Sequence, residues 1–174
     1  MEQAERLNAL EVALNNETRE REFYLKLAEK TENPQGKAMF KQIADEELEH
    51  YDMLKKLHEK WEKQEKWPET VPLEVKKTRV KDALKELVQE ADELPETDED
   101  DVKAVQTAID FEAKGADYYA KLRDAVSDPK EKAFFDLLAR TERDHYLSLK
   151  DTEEFFRDPA AWHTMTEHHI LDGA

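Results

Sequence analysis

Apolar side chains return along this chain in alternating steps of three and four. That is the period of a helix with one buried face. Leu7, Leu10, Leu14, Tyr24 and Ala28 share one such face, and Phe40, Ile43, Leu54, Leu57 and Trp61 share a second. Val102, Val105, Ile109, Ala116 and Tyr119 form a third, and Phe135, Leu138, Leu149 and Phe156 a fourth. The pattern predicts helices over 3–31, 35–64, 99–126 and 129–157. Each pair is broken once, at Glu32-Asn33-Pro34 and at Ser127-Asp128-Pro129. Proline is tolerated in a first helical turn and follows Asn or Asp well, so both breaks read as turns. Thr97 and the run Asp98-Glu99-Asp100-Asp101 suit the start of the third helix, where carboxylates meet the positive end of the helix dipole. Residues 66–97 hold Pro68, Pro72 and Pro95, with Val80, Leu84, Leu87 and Ala91 on one face of a predicted packing helix. Residues 158–174 form a tail with room for one short helix. Short turns inside each pair and a long crossing between pairs predict an all-α four-helix bundle, one domain over 1–174, with a single crossover.

The two pairs are related. Sliding the chain by 95 residues lays 7–55 over 102–150 without a gap, and 16 of 49 positions coincide. Among the coincidences are Glu17/Glu112, Tyr24/Tyr119, Pro34/Pro129, Glu47/Glu142 and His50/His145. The agreement points to a duplicated helical hairpin.

Polar residues interrupt each apolar face at one place. On the second helix the stepping lands on Glu47 and His50, and on the fourth on Glu142 and His145. Glu17 and Glu112 fill the same gap on the first and third. Residues equidistant from a hairpin turn lie level, and the midpoint of Glu17 and Glu47 is residue 32, that of Glu112 and Glu142 residue 127. Each histidine follows its glutamate by three residues, one turn along the same face, about 4.5 Å higher. Four carboxylates and two imidazoles should therefore meet in one interior layer. Buried carboxylates must be paired, protonated or metal-bound, and two divalent cations against four glutamates sum to zero charge. A dinuclear metal site is expected. Carboxylate-rich coordination with one imidazole per ion suits iron or manganese better than structural zinc.

Composition narrows the function. The 174 residues include 43 acidic and 27 basic, for a net charge of −16, and no cysteine. No thiolate metal site or disulfide is possible. The acidity argues against nucleic acid as a partner and favours attraction of cations. The longest apolar runs fall short of a membrane span, and MEQAERLNAL has no signal-peptide core, so a soluble cytoplasmic protein is expected.

Glu17…Tyr24…Glu47-Leu48-Glu49-His50 and Glu112…Tyr119…Glu142-Arg143-Asp144-His145 together resemble the rubrerythrin family, in its rubredoxin-lacking, ferritin-like branch. The resemblance implies a di-iron centre, with manganese or a mixed pair as variants. It implies bridging roles for Glu47 and Glu142, terminal roles for Glu17 and Glu112, and one histidine per ion. Tyr24 and Tyr119 resemble that family's tyrosines standing just behind the ligands; as plain residues they are equally good core filler. Rubrerythrins carry a further glutamate three residues after the third-helix ligand. That position is Gly115 here, which costs the helix on the order of 1 kcal/mol against alanine and leaves a possible opening for O2 or peroxide. Glu20, three after Glu17, is a candidate extra ligand; its alternative is a surface residue beside Arg19 and Arg21. Bacterioferritins share the ligand duplication but place a haem-binding methionine after the second-helix glutamate. Leu48 stands there, so no haem is expected.

The leading expectation is a redox enzyme that reduces hydrogen peroxide or O2, fed by an external electron donor and assembled as a homodimer. Ferritin-like iron oxidation for sequestration is the alternative, and a non-catalytic, metal-stabilised bundle a further one. An oxygenase acting on an organic substrate also stays open. His58 is expected to face solvent. His163, His168 and His169 lie in a tail that Trp162, Ile170 and Leu171 should pack onto the bundle or a second subunit.

Overall fold

A computed structural model describes residues 3–64, 78–80 and 99–162, with 3–9, 61, 62 and 64 described by backbone alone. The long helices are α1 (Gln3–Lys30), α2 (Pro34–Gln64), α3 (Glu99–Ala125) and α4 (Pro129–Arg157), and no strand occurs among the described residues. Both turns are fixed by the same device. The Asn33 side chain accepts from the Gly36 amide at 2.9 Å, and Asp128 accepts from Lys130 and Glu131 at 2.8 and 3.2 Å. These caps satisfy amides that have no partner inside the helix, while Pro34 and Pro129 supply preset first-turn backbone. Pro129 sits in the first turn behind an Asp128 of extended conformation.

α1 packs along α2 and α3 along α4, and the hairpins meet through α1 and α3. Phe23 and Phe111 touch across that seam with ring centroids 4.9 Å apart. The core has two apolar parts. One gathers Tyr24, Phe40, Ile43, Val105, Ile109, Leu149, Phe155 and Phe156; the other gathers Leu10, Leu54, Leu57, Tyr119, Phe134, Phe135 and Leu138. On every helix the glutamates and histidines of the sequence pattern fall between the residues given to one part and those given to the other. The polar layer is thus sealed above and below by close-packed side chains.

The apolar faces differ from the periodic expectation at three places. Ala13, rather than Leu14, is buried on α1, and Asp101 and Gly115, rather than Val102 and Ala116, are buried on α3. A straight helix drifts against a strict three-four stepping, so the buried face shifts by one residue within a few turns. From the crossover, Val80 is buried in the first apolar part, and Trp162 packs edge-on against Phe155 at 5.3 Å. Residues 159–162 are helical. Leu84, Leu87, Ala91, the tail histidines, Ile170 and Leu171 lie outside the described residues, as do the side chains of Leu7 and Trp61.

Candidate metal centre

Each helix contributes one glutamate to the layer, and all four are at most 1% exposed: Glu17, Glu47, Glu112 and Glu142. His50 and His145 join them at 2% and 0%, their rings stacked with centroids 5.6 Å apart. Two ligand groups result. Glu17, Glu47, His50 and Glu142 offer atoms all within 4.8 Å of one another, and so do Glu47, Glu112, Glu142 and His145. Glu47 and Glu142 belong to both groups. They stand where bridges between two cations would stand.

The hydrogen bonds around the layer leave the inward atoms open. Tyr24 of the first hairpin donates to Oε1 of Glu112 in the second, and Tyr119 of the second donates to Oε1 of Glu17 in the first. In both glutamates the other oxygen, Oε2, has no hydrogen-bond donor on it, though His50 faces that of Glu17. Glu142 has none on either oxygen. His145 Nδ1 lies 3.0 Å from Glu47 Oε1, yet without the alignment of a hydrogen bond. His50 Nδ1 is 2.9 Å from Glu47 Oε2 and 3.3 Å from Glu17 Oε2. A buried polar atom without a partner costs about 1–3 kcal/mol. Such a concentration of open donor atoms in one dry layer fits a pair of divalent cations, because oxygen and imidazole ligands then gain what water cannot supply.

The electrostatics carry the same strain. Burial drives the Glu17 carboxyl up to about 7, against the pull of His50. Burial raises Glu112 and Glu142 as well, and for Glu142 the charges of Glu20 and Glu47 add to the rise. Glu47 is the exception. Its burial is outweighed by the two imidazoles, which hold it below the usual carboxylate range. In return His50 is pushed up to about 10, burial opposing and Glu47 prevailing, and His145 is raised by Glu47 and Glu112 against the same opposition. The layer thus favours protons in the role that cations would take.

Glu20 is not a surface residue. It is 5% exposed, its Oε2 has no partner, and burial together with Glu17 and Glu47 raises its carboxyl well above the ordinary value. It lies outside both four-residue groups. The position follows from spacing, since Glu17, Glu20 and Tyr24 continue the three-four stepping of α1. Its repeat counterpart, Gly115, is buried, and a Cβ there would sit 3.4 Å from Cγ of Glu142. The room left by the glycine is about one methyl group wide and adjoins the Glu142 carboxylate. His58 is partly buried, 15% exposed, with Nε2 3.8 Å from Glu11 Oε1, rather than facing solvent. Leu48 is 40% exposed.

Glu46 escaped the sequence pattern. It stands one residue before Glu47, off the apolar face, and receives Nε2 of His145 at 2.8 Å. The only trace in the sequence is a mismatch, since the counterpart of Glu46 in the second repeat is Thr141.

Among solved structures the chain is similar to a hypothetical protein from Pyrococcus furiosus, with a TM-score of 0.62 and 25% identity over 87% of this chain and 90% of the other. A search of curated proteins gave no match. None of the described helices is long and apolar enough to cross a membrane. The family model described as Rubrerythrin matches residues 8–153, nearly the whole bundle with its crossover. With that match, the all-α ferritin-like fold and a buried glutamate–histidine layer able to hold metal, the chain belongs to the rubrerythrin family, whose members are generally di-iron carboxylate oxidoreductases.

Proposed function

We propose that the protein reduces hydrogen peroxide, with O2 as a slower oxidant, using electrons from an external donor. The observation that carries this is the pair of ligand groups sharing Glu47 and Glu142. Glu17 and His50 would complete one cation's ligands, and Glu112 and His145 the other's. Iron, with manganese or a mixed pair as variants, would supply two electrons and Lewis acidity beside a small oxidant.

The chain's own groups do the rest. Tyr24 and Tyr119 turn the terminal carboxylates so that one oxygen of each faces inward. Their phenol protons, buried and held on Glu112 and Glu17, lie one bond away from the layer. Glu20 supplies a further carboxyl, which burial and its charged neighbours raise well above the ordinary value, that can give up a proton or take a ligand place. Phe40, Phe135 and Ile109 keep bulk water out, which strengthens each electrostatic interaction in the layer. Neither repeat contains a cysteine to hold a thiolate-bound electron-transfer centre, in keeping with electrons that reach the bundle from outside it.

The test is stopped-flow mixing of the reduced, iron-loaded protein with peroxide and, separately, with O2. Faster ferric absorption with peroxide is expected. Absence of oxidation by peroxide would remove the proposal. Sequestration of iron predicts a large hollow shell on gel filtration, whereas the peroxidase predicts a homodimer. A soluble cytoplasmic setting is part of the same reading.

A further inference from the structure

The ligands of the two groups match through the repeat, but what stands behind the two histidines does not. His145 turns Nδ1 toward Glu47 and Glu112 and Nε2 toward Glu46 Oε2, at 2.8 Å. Glu46 is held in place at its other oxygen, where Oε1 accepts from Gln42 Nε2 at 2.8 Å and from the Arg79 backbone amide at 3.0 Å. One carboxylate is therefore tied to its own helix, to the crossover and to the imidazole together. It is 14% exposed, and His145 is fully buried. At the other histidine the counterpart of Glu46 is Thr141, whose hydroxyl donates to the Leu137 carbonyl of its own helix at 3.0 Å. The ion pairs of His50 with described residues both run through Nδ1.

A carboxylate behind a ligating imidazole fixes its tautomer and ring plane and makes the ligating nitrogen a better donor. We propose that Glu46 is a positioning residue for His145 and makes the two cation places unequal, the one completed by Glu112 and His145 being the tighter. This rests on the dinuclear reading above. The crossover enters the centre through it, since the Arg79 amide helps to hold Glu46.

Titrating the metal-free protein with Co(II) tests both ideas separately. Two ions bound in two resolved steps are expected. Glu46→Ala should weaken the tighter step about tenfold to a hundredfold and leave the weaker step unchanged. Glu46→Gln should lose less, because its amide oxygen still accepts from Nε2. Two bound ions with both steps shifted alike, or neither shifted, overturn the role of Glu46 while leaving the dinuclear site standing. Failure to bind two ions overturns both. A measurement on the unsubstituted protein guards against misfolding of the variants. In the Co(II)-loaded protein, one shifted imidazole N–H resonance should exchange with water much more slowly than the other, and equal exchange rates overturn the inference.

Discussion

Glu17 and Glu112 are each divided in their duties, one oxygen given to a tyrosine and the other left without a hydrogen bond. Tyr119→Phe removes the hydrogen bond to Glu17 and leaves a buried oxygen without its donor. It should fold, lower the melting temperature by the equivalent of about 1–3 kcal/mol, and weaken cation binding severalfold on the Glu17 side. Calorimetric melting and metal titration check both effects, and unchanged binding would reduce the tyrosine to packing. The protonation of the layer gives a pH signature. Glu17, raised to about 7, contributes fully below its ordinary value near 4.5, and the contribution fades as pH rises through 7. His50, raised to about 10, contributes fully below 6.5 and loses that contribution as pH rises through 10. The chelated protein should melt at lower temperature as pH goes from about 5 to about 9. Metal affinity should rise over the same range, because the ligands must shed protons to bind. At this scale the buried layer of four glutamates and two histidines was legible because each interrupts an otherwise apolar face. Glu46 was not, since its partner lies 99 residues away and its own position falls outside that face.

The helices themselves were readable almost to the residue, because proline, Asn33 and Asp128 mark both turns and glycine is scarce. Spacing alone could not show where a helix is approached closely. A Cβ at Gly36 would fall 2.5 Å from Cζ of Phe156 and 3.0 Å from Cγ2 of Thr31. Gly36→Ala should therefore cost about 1–3 kcal/mol in chemical denaturation, as the buried ring cannot retreat freely. At Gly115 the nearest atom would be 3.4 Å away, an ordinary contact, so Gly115→Ala should stabilise α3 by about 1 kcal/mol. If the glycine admits the oxidant, the same variant should slow peroxide reduction. Unchanged kinetics would close that route.

For the molecule as a whole, four carboxylates buried together oppose folding unless something positive joins them. Cations at about a hundredfold their Kd should add about 3 kcal/mol for each site, and anaerobic melting of loaded against chelated protein should show it as a large upward shift. A shift of no more than a degree or two would count against buried cation binding. The bundle, its connectivity and the level of the polar layer followed from two midpoints and one repeat. The cross-bracing of the hairpins did not, because a repeat says which residues correspond but not which of them touch.

That cross-bracing has a consequence for how the chain could be divided. Each half carries the clasp for the other's buried glutamate, Tyr24 for Glu112 and Tyr119 for Glu17. Cut inside the crossover and produced as separate polypeptides, the halves should remain largely unstructured alone and fold on being mixed, one to one. The molecule would then behave as two obligate mates that happen to share a backbone, and a half that folds alone would refute it.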